Sequence, residues 1–478
     1  MKKIYLLFLL TSFCLCSGYA NTTGLFAGPD SIAPDTTGMR KLTPAELTYE
    51  MTPGWNVGNS LDAIGGETAW GNPLISQRLM DSVKAAGFKA VRIPVAWSKF
   101  SDAPTYTIDT LWMKRVTEVV NYVLNSGMYA IINIHWDGGW IQPTYDDEEE
   151  VTTRLAAMWH QIAVNFRDFS DSLLFAGTNE VMVDGDYGTP TIEYYTVQNG
   201  YNQTFVNTVR TTGGRNYYRF LVVQGFNTNI DHAVNFFETP DDVTENKLLI
   251  EVHYYDPYDF TINTGSTNII QWGMYATRPT RTETWANESY VNIQFRKMKT
   301  NFFDNGMAVI LGEYGAIART NLGDELNAEH EWYRLYYLYY VTKSMVEHNL
   351  IPFYWDNGGT GNNGLGIFYR DTGGHAWPEI IKAITDTAYV ITNIPVLDTR
   401  TIPDVMNTIY PNPAHDVLHI RWNRRNDSNT IRISNPEGIL VKTLAVNTSE
   451  IRINIDDLPA GVYYISGIDK VITRFVKE

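Results

Sequence analysis

The sequence predicts an α/β protein: a closed (β/α)₈ barrel followed by a small all-β sandwich. Three observations carry this. Eight short apolar runs alternate with amphipathic segments along most of the chain, and several are nearly continuous, as in strands covered on both faces of a parallel sheet. After them the pattern changes to short β-rich runs separated by turn clusters. At 478 residues the chain is too long for one average domain but fits a large barrel with an appendage.

The candidate strands are "GWNVGN" (54–59), "KAVRIPV" (89–95), "YAIINIH" (129–135), "LLFAGTNE" (173–180), "RFLVVQG" (219–225), "KLLIEVH" (247–253), "MAVILGE" (307–313) and "IPFYW" (351–355). Helical patterns such as "ISQRLMDSVKAAG", "LWMKRVTEVVNYVLNSG" and "SYVNIQFRKMKTNFFDNG" lie between them. Each ends in a glycine suited to a helix C-terminus: Gly87, Gly127 and Gly306. The connection after "RFLVVQG" has the weakest helical pattern. An open doubly wound sheet is the rival architecture, but no glycine-rich phosphate loop follows the first strand.

The expected organisation is a signal peptide over 1–20, an extended arm over 21–48, the barrel over 49–392, a linker over 393–403 and the sandwich over 404–478. In the first segment Lys2 and Lys3 precede an apolar run, and Gly18 and Ala20 suit cleavage before Asn21. Both cysteines, Cys14 and Cys16, lie there, so the mature chain is expected to hold no thiol or disulfide. A lipoprotein reading fits less well, given the residues before each cysteine. No later run is long and apolar enough to span a membrane.

Composition narrows the partners. A net charge of −16 argues against nucleic acid, whose phosphates need a basic face. Aromatic residues make up 13% of the chain, which suits flat apolar ligands as well as a large core.

In a barrel, catalytic groups stand at the carboxyl ends of the strands. Those ends hold Asn59, Arg92, His135, Asn179 with Glu180, His253 with Tyr255, Glu313, and Trp355. The fifth strand offers only Gln224 and Asn227. A single strand-end carboxylate is more often structural; polar groups gathered from seven strands onto one rim are hard to explain by stability. Strands four and seven lie nearly opposite, so Glu180 and Glu313 should face each other across the mouth. Two carboxylates about 5 Å apart suit a retaining glycosidase, and a wider gap suits inversion. Like charges that close should raise the pKa of the acid. A metal site would need a His-x-His pair or a carboxylate–histidine cluster at ligand spacing, and the sequence shows neither.

Together "GWNVGNSLDA", "VRIPVAW", "NIHWD", "TNE", "HYYDP", "GEYG" and "YWDN" resemble glycoside hydrolase family 5, over residues 45 to 390. The resemblance implies that Glu180 is the general acid/base and Glu313 the nucleophile. It also implies that Asn179 holds the sugar 2-hydroxyl, that Arg92 and Tyr255 position and ionise Glu313, that His135 and His253 line the cleaved sugar's subsite, and that Trp355 is its platform. The sequence departs from the family where Val181 and Met182 follow the acid/base in place of a proline, and where Ala176 replaces a frequent glutamate. That departure bears on the loop's conformation.

Trp70, Trp97, Trp136, Trp140, Trp272, Trp285 and Trp377 fall in or beside rim loops, and about half are expected to be packing residues. Trp136 and Trp140 of "HWDGGW" are the candidates for outer sugar subsites. The acidic run "DDEEE" (146–150) reads as a helix start, not a calcium site.

At the other end, "IYPNP", "LPAGVYYI" and the basic "ITRFVKE" resemble the sorting domain that Bacteroidetes proteins carry for type IX secretion. A carbohydrate-binding module is the rival, but Trp422, Tyr463 and Tyr464 form no clear aromatic row. The expectation is a monomeric, exported, retaining endo-β-1,4-glycanase, first a glucanase, with a β-glucan-class polysaccharide and the type IX machinery as partners. No cofactor is implied. The alternatives are a mannanase or xylanase of the same family and a non-catalytic glycan-binding surface protein.

Overall fold

Eight parallel strands close on one another: β1 (Gly54–Val57), β2 (Ala90–Ile93), β3 (Tyr129–Asn133), β4 (Leu173–Ala176), β5 (Leu221–Gln224), β6 (Leu248–Tyr254), β7 (Ala308–Tyr314) and β8 (Leu350–Asp356). They neighbour in chain order, and β8 pairs with β1 to complete the barrel. The computed structural model describes residues 30–265, 268–386, 388–391, 408–421, 430–435, 440–445, 450–466 and 471–478. The signal segment, both cysteines, the linker over 393–403 and Trp422 lie outside the described residues.

Every candidate strand forms. The three glycines expected to end helices have φ of 106°, 72° and 87° at Gly87, Gly127 and Gly306, the left-handed conformation that closes a helix. The weak pattern after the fifth strand is a short helix, Ile230–Phe236. The acidic run opens the helix Glu148–Asn165, with three glutamates in its first turn, where the helix dipole favours them.

One expectation needs correction. Helix α1 (Pro44–Met51) begins inside the expected arm, so the arm's last residues are helical and not extended. Thr43 Oγ1 accepts from Glu46 N at 3.2 Å while the Glu46 carboxylate accepts from Thr43 N at 2.8 Å, a reciprocal capping box followed by Pro44. Leu47 and Met51 of α1 are wholly buried against Ala90, Ile131, Leu174 and Ile310, which point into the barrel. The helix thus plugs the end opposite the strand carboxyl ends.

Alternation along each strand sorts the rest. Val91 and Ile93 of β2 join the larger core between barrel and helices, whereas Ala90 joins the inner cluster and Arg92 shares its face. Inward positions are apolar near the plug and polar toward the mouth.

The chain divides into two compact units, at Ile391 and Thr392. In the second, β9 (Thr408–Tyr410), β10 (Val417–Arg421) and β13 (Glu450–Asn454) form one antiparallel sheet. The other holds β11 (Thr430–Ser434), β12 (Leu440–Ala445), β14 (Gly461–Ser466) and β15 (Val471–Lys477). Leu418, Ile420 and Ile453 from the first sheet pack with Ile433, Ile465 and Phe475 from the second, as in a sandwich.

Candidate active site

A bulge in β7 places Glu313. Leu311 pairs with Val252 of β6 and Pro352 of β8, yet the next partners are Glu313 with His253 and Tyr314 with Tyr354. One extra residue in β7 resets the alternation, so Glu313 faces inward beside His253 while Tyr314 joins the outer core. The residue before it is Gly312, whose carbonyl accepts from Asn56 Nδ2 at 2.8 Å.

Arg92, wholly buried, organises the floor of the site. Its Nη1 donates to Glu313 Oε1 at 3.0 Å and to Asn56 Oδ1 at 3.1 Å. Its Nη2 donates to Asn179 Oδ1 at 2.5 Å and pairs with Glu251 Oε1 at 2.9 Å. Tyr255 Oη donates to the other oxygen of Glu313 at 3.2 Å. His253 lies between the carboxylates, with Nδ1 2.7 Å from Glu180 Oε1 and 3.8 Å from Glu313 Oε2. Its Nε2 is 3.0 Å from Glu251 Oε1.

Glu180 sits just beyond β4 with φ +48°, a left-handed backbone that costs a non-glycine residue energy and is concentrated at functional positions. The loop that lacks the family's proline is held by Val181, which is buried and accepts from Asn227 N at 2.8 Å. The Glu180 side chain is 40% exposed and that of Glu313 only 7%, so one faces the groove and the other the floor.

Protonation departs from expectation. The sequence reading raises the pKa of the acid, Glu180; the rise falls instead on Glu313. Burial, reinforced by the Glu180 charge, lifts Glu313 to about 7 against the pull of His253 and Arg92. Burial acts the same way on Glu180, but the His253 hydrogen bond and charge outweigh it and hold Glu180 below its ordinary value. His253, which burial alone would lower, is lifted to about 10 by Glu313, Glu180 and Glu251. These groups titrate as a set. Burial and the Arg92 and His253 charges keep His135 neutral. Burial, with Glu313 beside it, keeps Tyr255 a protonated donor.

His135 stacks on Trp355, with ring centroids 5.7 Å apart and planes 8° from parallel. Asn133 Nδ2 lies 3.1 Å from His135 Nδ1. His135, Trp136, Trp140, Asn179 and Glu180 line one pocket. Trp136 is 52% exposed; Trp140 is half-buried, with Arg154 4.3 Å over its ring, so one face is already covered. Trp70 and Trp285 are exposed on loops after β1 and β6, whereas Trp97 and Trp272 are core residues and Trp377 packs under Arg334. Asn59 stays at the rim with φ +56°, its N–H held by Asp62 at 3.0 Å.

Sequence reasoning missed two members of the network. Asn56 on β1 meets Arg92. Glu251 is a fully buried carboxylate two residues before His253, and its signal was an ionisable residue inside an apolar strand. A carboxylate–histidine cluster also exists, contrary to the sequence reading: donor atoms of Glu180, His253 and Glu313 all lie within 4.8 Å of one another. It comes from three different strands, so no local spacing could reveal it. A guanidinium 3.0 Å from Glu313 and the His253–Glu180 hydrogen bond already satisfy these groups.

Among the described residues no helix is long and apolar enough to cross a membrane. Residues 408–477 match the family model of a secretion system C-terminal sorting domain, and the chain is exported. The barrel is 46% identical over 355 residues to a xyloglucan-specific endo-β-1,4-glucanase of Bacteroides ovatus, covering 72% of this chain and 70% of that protein. It is 39% identical over 383 residues to endoglucanase A of Paenibacillus barcinonensis, covering 76% and 94% respectively. A solved Bacteroides ovatus xyloglucanase, in complex with a heptasaccharide, superposes with a TM-score of 0.72 at 45% identity, covering 75% of this chain and 79% of that one. Residues 56–361 match the family model described as cellulase, and with these relatives the motifs and the barrel lead to one conclusion: the chain belongs to glycoside hydrolase family 5.

Proposed function

We propose that this protein is a retaining endo-β-1,4-glucanase that accepts xyloglucan, with Glu313 as nucleophile and Glu180 as general acid/base. One observation carries the reading: a carboxylate oxygen of each glutamate lies within 4.8 Å of the other. Retaining pairs stand about 5 Å apart, while inverting pairs leave about 6.5 Å or more for a water.

Glu313 attacks the anomeric carbon as Glu180, on the groove side, gives its proton to the departing oxygen. Arg92 and Tyr255 each donate to Glu313, which favours the anion that attacks. Asn179, oriented by Arg92, is placed to meet the 2-hydroxyl, where hydrogen bonding strengthens in the transition state. Water then attacks the glycosyl ester with Glu180 as base. Trp355 and the exposed Trp136 offer flat faces to sugar rings, Trp355 at the cleaved sugar and Trp136 at an outer subsite.

Substrate class is supported by the relatives named for endoglucanase and xyloglucanase activity. The test is product analysis on xyloglucan, mixed-linkage β-glucan, soluble cellulose, xylan and mannan, with proton NMR of the first product. The expected result is cleavage of the glucans, xyloglucan included, with the β-anomer appearing first. Faster cleavage of mannan or xylan, or an α-anomer first, contradicts the proposal.

A further inference from the structure

Glu251 is unused by the two-glutamate scheme, yet its placement is costly. The side chain is wholly buried, and burying a carboxylate is unfavourable unless it is paired. A single oxygen, Oε1, meets both Arg92 Nη2 at 2.9 Å and His253 Nε2 at 3.0 Å. Gly312 makes room for it: a Cβ there would lie 2.1 Å from that same oxygen. The space beside the nucleophile therefore goes to a third carboxylate.

The donor arithmetic follows from the chemistry of the groups. An ionised carboxylate only accepts, so His253 Nε2 must carry a hydrogen toward Glu251. That leaves Nδ1 facing Glu180 Oε1 at 2.7 Å. Without a proton between them, a ring lone pair would oppose a carboxylate at that distance. The contact holds one proton, on nitrogen or on oxygen.

We infer that Glu251 is a positioning residue for the catalytic proton: it fixes the orientation of His253 so that Nδ1 passes a proton to Glu180 and takes it back. In glycosylation the Nδ1 proton moves to Glu180 Oε1 as Glu180 protonates the departing oxygen. In deglycosylation a proton from water returns through Glu180 to Nδ1. Arg92, Glu180, Glu313, His135 and Tyr255 are the other titratable or charged groups that act on this set. The inference rests on the assignment of Glu180 as acid/base.

The test is the pH profile of kcat/KM on polymer for wild type and Glu251→Gln, with ¹⁵N NMR of His253 in the wild-type protein. Removing the negative charge weakens the hold on the His253 proton, so the alkaline limb moves about one pH unit or more to lower pH. Glu251 also raises Glu313, so the acid limb moves the same way by less. Glu251→Asp, which keeps the charge, should return the limbs toward wild type. The NMR spectrum should show a proton held on Nε2, and it needs no variant. A lowered rate with both limbs in place, or a neutral His253 protonated only on Nδ1, overturns the inference. If Glu180→Gln impairs polymer and activated aryl glycosides equally, the acid/base assignment itself fails. If Glu180→Gln discriminates between them while Glu251→Gln leaves the limbs unmoved, only the inference falls.

Discussion

Arg92 Nη1 lies 3.0 Å from Glu313 Oε1, and the same guanidinium holds Asn179 through its other nitrogen. One rigid fork therefore places both the proposed nucleophile and the 2-hydroxyl partner. Lysine keeps the charge but not the fork. Arg92→Lys should lower kcat/KM on β-glucan by roughly 100-fold or more. Because Arg92 pulls the pKa of Glu313 down, Arg92→Gln, which removes the charge altogether, should also move the acid limb to higher pH. Steady-state rates across pH check both, and a modest loss with an unmoved limb would mean Arg92 only packs.

Glu180→Gln separates the two carboxylates. Natural polymers have poor leaving groups and need the acid, whereas aryl glycosides with good leaving groups do not. The loss should be far larger on polymer. The variant also removes a like charge that raises Glu313, which must be ionised to attack. Its pKa should fall from about 7, and the acid limb on the aryl glycoside should move to lower pH. Equal losses on both substrates would give Glu180 another role.

The plug under the barrel is a stability element. Leu47 is wholly buried inside the strand ring. Leu47→Ala should cost about 2–5 kcal/mol in unfolding free energy while leaving KM unchanged. Urea denaturation measures the first and kinetics the second. A cost near zero would mean the helix docks without filling the core.

The second unit is expected to serve export, not hydrolysis. Each rim residue named above precedes the division at Ile391, and residues 408–477 match the sorting-domain family. A chain ended after residue 391 should cleave β-glucan at the wild-type rate and accumulate in the periplasm of a host with the type IX pathway. Normal export with weaker adsorption to insoluble polysaccharide would identify the unit as a binding module.

Strand period and strand-end residues make the barrel and much of its rim legible in the sequence. The strands were readable because their runs are apolar on both faces, and Glu180 and Glu313 because a carboxylate closes each run. What escaped depends on pairing across strands. The β7 bulge is a register relation to β6 and β8, and it sets the facing of Glu313. Glu251 lay hidden inside "KLLIEVH" because its partner Arg92 comes from another strand of the closed ring, although His253 stands only two residues on. The reversal of the expected pKa order has the same origin: His253 reaches Glu180 only once the barrel closes.

The central claim is that Glu313 becomes covalently bonded to the sugar. Incubation with a slow 2-fluoro glycoside, followed by peptide mass spectrometry, tests it most directly. One glycosyl label is expected, on the peptide holding Glu313, and none in Glu313→Gln. A label on Glu180 or Glu251, or no label together with inverted product, would contradict it.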